Sequence, residues 1–307
     1  MMRPIVAALA VVSGIGVTGC SGATQAIQAT APHTSTAASA QTVLPFTGLE
    51  SPHDVAVDAE GNVYVADTHD FKDDKGFPDG TSQVIKLSAG SDAQTTLPQF
   101  AHAALAVDPN GGVWVRDEQL VRLAVGSEPQ IVLPLPDLGP RGDTLAMDAA
   151  GTAYGVNGGG VDAGGGCCVP VHVVTSAGPN SPTVLPFTQI DGLGGLAVDA
   201  SGTVYAGDNY ANRVVKLAAR ADLPITLPFN DIQGVADIAV DSAGSVYALD
   251  RDRKRVLKWA AGSDGSTVLP FTGLDRPVAM AVDTAGNVYV VDRGTRTVLK
   301  LAAGGSK

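Results

Sequence analysis

The chain has 307 residues, 45% of them hydrophobic, and its 31 acidic against 20 basic side chains give a formal net charge of −11 at pH 7. Such a surface repels polyanions, so the composition argues against nucleic acid and anionic lipid as partners. The length and the hydrophobic content suffice for one domain with a single core.

The first segment, residues 1–19, has the pattern of a signal peptide. Arg3 precedes an apolar run that is too short to span a bilayer stably. Val17-Thr18-Gly19-Cys20 then matches the bacterial lipobox, in which the cysteine becomes the acylated first residue of the mature chain. We therefore expect lipidation, for example by palmitate, at Cys20. The alternative is an ordinary cleavage site followed by a chance cysteine.

The next segment, residues 20–41, is predicted to be the lipidated cysteine and a flexible tether. It lacks large apolar side chains apart from Ile27 and cannot form a core of its own. The expected location is the outer face of the cytoplasmic membrane, where the lipid anchor alone holds the protein. The rest of the chain, residues 42–307, is predicted to be one folded domain.

This domain contains one motif six times. An aspartate, here called the anchor, is followed after three residues by glycine, after six by a large aromatic residue and after nine by Asp or Asn. The anchors are Asp58, Asp108, Asp148, Asp199, Asp241 and Asp283. Repetition at roughly 40 residues is typical of arrays whose units cannot bury an apolar face alone.

Each repeat predicts four short antiparallel strands. Leu-Ala-Val-Asp and Val-Tyr-Ala flank a tight Asp-x-x-Gly turn, Val-Val-Lys-Leu forms a third strand, and Thr-Val-Leu-Pro-Phe forms a fourth with its proline at the sheet edge. Four strands per repeat predict an all-β fold, a six-bladed β-propeller. Because the last repeat stops at a third strand, residues 42–46 are expected to complete the last blade and close the ring.

Two repeats are longer than the others, since the anchors lie 50, 40, 51, 42 and 42 residues apart. The excess, at 68–83 and 158–170, falls between the second and third strands, and both insertions are expected on one face. They flank a repeat whose corresponding link, Glu118-Gln119, is short. A groove between the insertions is a predicted ligand site, because loops on a rigid scaffold commonly carry binding residues.

On the same face, residues that enter the innermost strands should surround a central channel. Together with Glu118, the candidates for ligand binding are His53, Asp54, His102, Asp143 and Asp237. His53, His102 and Asp143 could bind a divalent metal with an open position for water. The alternative, which we favour, is that these are solvated residues at the mouth of the channel.

Apart from Cys20, the cysteines are the adjacent pair Cys167 and Cys168 in a glycine-rich insertion. In an oxidising compartment they could form a vicinal disulfide, and the alternative is two free thiols packed as small hydrophobes. The basic run Arg251-Asp-Arg-Lys-Arg255 predicts a local ion-pair cluster. No phosphate loop, nucleophile elbow or kinase signature occurs, so no catalytic residue and no cofactor is predicted.

A family resemblance follows from the most regular repeat. Asp208-Asn-Tyr-Ala-Asn-Arg213-Val-Val-Lys216-Leu217, with the preceding Gly-Leu-Ala-Val-Asp199, resembles an NHL repeat. The Thr-Val-Leu-Pro-Phe strands resemble the extracellular sensor domain of actinobacterial transmembrane Ser/Thr kinases. The resemblance covers roughly 42–307, and it implies a six-bladed ring that binds an envelope ligand without catalysis. The kinase domain and the membrane helix of that family have no counterpart in this sequence.

The predicted function is therefore that of an envelope binding or scaffold lipoprotein. Its partner is expected to be an extracytoplasmic protein, a glycan or a small molecule, and the chain is expected to act as a monomer. The alternative is a metal-dependent hydrolase or lyase that acts at the central channel, because NHL-like rings include metal-dependent lyases and similar rings include lactonases. One fold hosts many functions, so the fold does not decide between them.

Overall fold

A computed structural model provides the coordinates. It describes residues 41–69, 82–100, 104–108, 111–116, 120–123, 131–133, 144–148, 150–157, 172–176, 183–187, 190 and 192–304, and of residues 98–99, 131–133, 156–157, 172 and 174–176 it describes the backbone alone. Every described residue belongs to one compact unit, within residues 37–307.

The strands form four-stranded antiparallel sheets, numbered here in chain order. The first sheet consists of β2 (Pro52–Val57), β3 (Val63–Thr68), β4 (Ser82–Leu87) and β5 (Gln94–Phe100). The second consists of β6 (Ala104–Val107), β7 (Val113–Arg116), β8 (Leu120–Arg122) and β9 (Ile131–Leu133). The third consists of β10 (Ala146–Met147), β11 (Ala153–Asn157), β12 (His172–Ser176) and β13 (Thr183–Val184).

The second half of the chain continues the same pattern. The fourth sheet consists of β14 (Leu193–Val198), β15 (Val204–Asp208), β16 (Arg213–Leu217) and β17 (Ile225–Thr226). The fifth consists of β18 (Val235–Val240), β19 (Val246–Asp250), β20 (Arg255–Trp259) and β21 (Ser266–Val268). The sixth consists of β22 (Pro277–Val282), β23 (Val288–Asp292), β24 (Thr297–Leu301) and β1 (Gln41–Val43).

The first strand of each sheet lies innermost. These strands contact one another in the order β2, β6, β10, β14, β18, β22 and back to β2. A closed cycle of sheets around a shared axis is a β-propeller, so the predicted all-β propeller class is confirmed. No helix within the described ranges has the length and apolar character needed to cross a membrane.

The sheet that contains both ends of the array is completed by β1. Residues Gln41 to Val43 pair antiparallel with β24, as the sequence predicted, but the strand is shorter than the expected 42–46. The backbone N–H of Phe46 donates to the carbonyl of Leu44 at 2.8 Å, and Pro45 has no N–H to donate. The chain therefore turns at Leu-Pro-Phe, and the same turn follows β13, β17 and β21.

All six anchors have the same role in the turn between the first two strands of a sheet. One carboxylate oxygen accepts the backbone N–H four residues on, and the other accepts the Tyr or Trp side chain six residues on, each at 2.8 to 3.0 Å. The glycine between them has a φ of 77 to 84°, which a residue without Cβ adopts at no steric cost. We call this end of the strands the turn end.

The aromatic residue of each anchor also builds the core. Hydrophobic clusters lie between successive sheets, and each includes that aromatic residue from one sheet with aliphatic residues from the next. Tyr289 of the sixth sheet, for example, is 1% exposed and packs in one cluster with Val55 and Val65 of the first. Burial, reinforced by the anchor Asp283, raises the pKa of the Tyr289 hydroxyl, so this group stays a hydrogen-bond donor.

The strand bounds confirm where the long repeats carry their extra residues. β3 ends at Thr68 and β4 begins at Ser82, and β11 ends at Asn157 and β12 begins at His172. Both connections thus join the second and third strands of a sheet. They leave from the end opposite the turn end, which is also where the chain passes from one sheet to the next.

Candidate functional site

A cavity of about 750 Å³ runs between the innermost strands of all six sheets. This volume lies within the range of about 300 to 1,000 Å³ that is usual for small-molecule sites. We call its opening opposite the turn end the mouth. The described residues that line the mouth include His53, Thr68, Asn209, Arg251 and Arg293.

His53 reaches the mouth because β2 contains a bulge. The register between β2 and β3 shifts between Pro52 and Asp54, and His53 is the extra residue. Bulges re-aim side chains, and the equivalent shift recurs in β14, β18 and β22. The Nδ1 atom of His53 lies 3.3 Å from the hydroxyl of Thr68 and 3.4 Å from the carbonyl of Ser51.

Asp54 and Asp237 hold neighbouring sheets together. Asp237 accepts the N–H of Ile238 at 2.8 Å and that of Met280 in the next sheet at 2.7 Å. Asp54 does the same with Val55 at 2.8 Å and with Leu105 in the next sheet at 2.7 Å. Each carboxylate therefore accepts a hydrogen bond from a backbone N–H at the cavity-facing edge of an innermost strand in the next sheet.

Burial affects the charge of one of these carboxyl groups. Enclosure by the innermost strands raises the pKa of Asp237 to about 7, although the two amide donors oppose the rise. For the anchor Asp199, hydrogen bonding outweighs burial, and the pKa of its carboxyl group is lowered instead of raised. Burial alone would raise its pKa, but hydrogen bonds from Ser201, Thr203 and Tyr205 hold the pKa of that carboxyl below its usual value.

The residue ten positions after the anchor lies at the mouth, and a backbone hydrogen bond holds it there. The N–H of this residue donates to a carbonyl that precedes the first strand of the same sheet, at 2.7 to 3.2 Å. This bond is made by Thr68, Asn209, Arg251 and Arg293. Four sheets thus present a side chain at the same place on the rim of the cavity.

The predicted site residues divide into two groups. His53, Asp54 and Asp237 line the cavity at the mouth end, as expected for channel residues. The others lie outside the described residues, and they are His102, Glu118, Asp143, Cys20, Cys167 and Cys168. Of the three proposed metal ligands, only His53 can be placed. Among the side chains that the structure describes, no group of three or more His, Cys, Asp and Glu is arranged to hold a metal ion.

The basic run at Arg251 to Arg255 forms the predicted ion pairs. Arg255 donates to Asp250, which is fully buried, at 2.9 Å. Arg253 pairs with Asp231, and Lys254 pairs with Asp275 at 3.0 Å. The charges of this segment are thus largely balanced within the protein.

Comparison with known proteins identifies the repeat. The sequence model of the NHL repeat matches residues 49–71. The fold is an NHL-type β-propeller. The serine/threonine-protein kinase PknD of Mycobacterium tuberculosis is 46% identical over 66 residues, which make up 20% of this chain and 8% of the kinase. The predicted resemblance to the actinobacterial kinases is confirmed over that segment.

Solved structures share the architecture over most of the chain. Virginiamycin B lyase of Staphylococcus aureus, as an inactive variant with quinupristin, has a TM-score of 0.55 and 10% identity over 86% of this chain and 99% of its own. Regucalcin, a calcium-binding protein of Agrobacterium tumefaciens, has a TM-score of 0.60 and 16% identity over 86% and 93%. The nidogen/laminin complex gives a TM-score of 0.59 and 16% identity over 79% and 89%. At these identities the likeness shows the fold.

Sequence reasoning missed three of the residues at the mouth. Asn209, Arg251 and Arg293 occupy the position of the predicted Glu118 in their repeats, ten residues after the anchor. Applying that offset to every repeat would have found them. The interpretation of Asp54 and Asp237 as ligand contacts also overlooked their bonds to the next sheet. The signal for these bonds is a carboxylate four residues before the anchor.

Proposed function

We propose that the protein is an exported, lipid-anchored binding module whose six-bladed ring holds an extracytoplasmic ligand at the mouth of its cavity. The cavity carries this proposal. It is large enough for a small molecule or for a projecting group of a glycan or protein, and the rim at four sheets is fixed by backbone bonds. A preorganised rim reduces the entropy that ligand binding costs.

Other observations support parts of the proposal. Six four-stranded sheets, with clusters between each pair of neighbours, support six blades. The lipobox ending at Cys20 supports attachment to the outer face of the cytoplasmic membrane. The solved structures on the same fold include a chain of a nidogen/laminin complex and a lyase with quinupristin, so both a protein complex and a small-molecule complex have a precedent on this architecture.

Attachment is tested at Cys20. Each acyl methylene buried in a bilayer contributes about 0.8 kcal/mol, so loss of the acyl chains should release the protein. We expect wild-type protein in the membrane fraction of an expressing bacterium and Cys20→Ser protein outside it. Equal membrane association of the two proteins would contradict the anchor.

Ligand capture is tested by native mass spectrometry of full-length protein released gently from membranes. We expect wild-type protein to carry a bound molecule that is lost in Asn209→Trp, which places a bulky ring on the mouth. Ser242→Trp is the matched control, because Ser242 lines the same cavity at the turn end. Retention of the ligand by Asn209→Trp and its loss from Ser242→Trp would contradict binding at the mouth.

The second candidate, a metal-dependent hydrolase or lyase, requires a metal ion in the cavity. His53 is the described residue that would serve as a ligand. Elemental analysis of wild-type and His53→Ala, His102→Ala protein separates the two functions. One metal ion per chain that is lost in the double variant would favour the enzyme.

A further inference from the structure

Two arginines from neighbouring sheets occupy the same position at the mouth. Arg251 follows β19 and Arg293 follows β23, each ten residues after the anchor of its sheet. Both line the cavity. The same position in the sheets on either side is Asn209 and Thr68, so four consecutive sheets place hydrogen-bond donors along one arc of the rim.

The backbone of both arginines is held in place. The N–H of Arg251 donates to the carbonyl of Gly234 at 3.1 Å, and that of Arg293 donates to the carbonyl of Arg276 at 3.0 Å. Each side chain therefore leaves the backbone from a defined point on the rim. Little backbone entropy remains to be lost when a ligand binds there.

One nitrogen of each guanidinium is bonded within the protein. Nε of Arg293 donates to the carbonyl of Pro52 at 3.3 Å, and Nε of Arg251 donates to Asp252 at 3.3 Å. A guanidinium has five N–H donors in a rigid fork and stays charged at any ordinary pH. The bonds at Nε orient each guanidinium group. The two terminal nitrogens of a guanidinium group can bind an oxyanion in a bidentate manner.

The carboxylate of Asp252 pairs with Arg251 at 3.3 Å, but both side chains are about half exposed, so solvent weakens this pair, and Arg293 adds a second positive charge at the mouth. Asp54 and Asp237 also lie at this end of the cavity, but both carboxyl groups accept backbone amides of the innermost strands. Burial raises the pKa of Asp237 to about 7, which reduces its mean negative charge near neutrality. The net charge of −11 acts over the whole surface, and salt screens distant exposed charges beyond about 8 Å.

We propose that the mouth binds the oxyanion group of a small ligand, a carboxylate or a phosphate, between Arg251 and Arg293, with Asn209 and Thr68 as neutral donors beside them. This proposal rests on the proposed function for the place of binding and adds the chemistry of the ligand. The rest of the ligand extends into the cavity, along the edges of the innermost strands.

The test is an NMR titration of the arginine Nε–H signals of the full-length protein with acetate and, separately, inorganic phosphate. We expect saturable shifts of the Arg251 and Arg293 signals with one or both probes, and the stronger probe identifies the oxyanion. Arg251→Gln and Arg293→Gln should each weaken binding about tenfold, the loss expected for a charge-assisted pair of hydrogen bonds.

Arg220→Gln is the matched control, since Arg220 lies in the turn between β16 and β17 at the other end of the strands. It should leave the titration unchanged. The proposal is overturned if neither probe gives saturable shifts, or if Arg220→Gln weakens binding as much as the mouth variants do. Acetate and phosphate test only whether the arginines bind an oxyanion. A negative titration would therefore contradict the oxyanion proposal, whereas loss of ligand capture is tested separately by the Asn209→Trp experiment.

Discussion

The turn end of the ring carries the same hydrogen bonds in every sheet, whereas the mouth carries different side chains at equivalent positions. At the turn end, six anchors bind six aromatic residues with closely similar geometry. At the mouth, the backbone bond is repeated but the side chain changes from Thr68 to Asn209 to Arg251. Across the repeats, the residues that stabilise the sheet at the turn end are thus the same, whereas the side chains at the mouth differ.

This difference has a physical cause. A carboxylate next to a buried Tyr must accept that hydroxyl, because an unpaired buried polar group costs about 1 to 3 kcal/mol. A side chain on the rim of an open cavity is solvated whatever its type, so folding does not restrict it. Substitutions should therefore be costly at the turn end and nearly neutral for stability at the mouth.

The largest effect is expected where the array closes. Deletion of residues 41–46 removes β1 and also Leu44 and Phe46, which pack against the cluster between the sixth and first sheets. We expect the free energy of unfolding, measured by chemical denaturation, to fall by about 5 kcal/mol or more, because two core-packing side chains and a paired strand are lost together. Val43→Ser is the control, because the Val43 side chain is 60% exposed and the strand remains. An unchanged unfolding midpoint in the deletion would show that closure is not needed.

The next effect separates packing from hydrogen bonding at the turn end. Tyr289→Ala should lower the free energy of unfolding by about 3 to 5 kcal/mol, since it leaves a cavity between two sheets. Tyr289→Phe keeps the ring but removes the donor to Asp283, and should cost about 1 to 2 kcal/mol. Tyr210→Ala, at a residue that is 71% exposed, should stay within about 0.5 kcal/mol. Equal losses in all three variants would be inconsistent with this division.

A smaller and pH-dependent effect is expected at Asp237. Its folded pKa of about 7 lies above the ordinary 3.8, so between these values the folded protein holds a proton that the unfolded chain has released. This group therefore adds stability as the pH falls from above 7 toward 3.8, and the added stability is lost as the pH rises.

Asp237→Asn tests this linkage, because the amide does not titrate. The substitution replaces one acceptor of a backbone N–H, so it should cost about 1 kcal/mol in acid, and the cost should shrink as the pH rises from 3.8 toward about 7. The measurement is the difference in unfolding free energy between variant and wild type across this range. A difference that does not change with pH would refute the raised pKa.

The smallest effect is expected at the mouth. Arg251→Gln and Arg293→Gln should each change the free energy of unfolding by no more than about 0.5 kcal/mol, because both side chains are partly solvated. The same variants are expected to weaken oxyanion binding. A large loss of stability would assign the arginines to the fold and weaken the contrast between the two ends.

The sequence predicted the structure best where the repeat is strict. The strand order, the Asp-x-x-Gly turns and the pairing of the first strand with the last sheet all follow from the anchors and their fixed offsets. The length of β1 did not follow, because the turn at Leu44-Pro45-Phe46 depends on a local N–H to carbonyl bond. Propensity alone does not reveal such a bond.

The site was predicted less well for a related reason. His53, Asp54 and Asp237 line the cavity at the position where the sequence predicted a channel, and the direction of the strands within a repeat is enough to place them there. That the two carboxylates bond to the adjacent sheet depends on how the sheets pack, and only the recurrence of a carboxylate four residues before the anchor points to it in the sequence. Arg293 lies 241 residues from its partner Pro52, so this contact appears only when the ring closes.

The most direct test of the contrast between the two ends is photo-crosslinking in intact cells, with a photoreactive amino acid placed singly at Thr68, at the mouth, and at Ser242, at the turn end of the same cavity. We expect an adduct of defined mass on the chain labelled at Thr68 and none on the chain labelled at Ser242. An adduct at Ser242 alone would place the ligand at the turn end and contradict binding at the mouth.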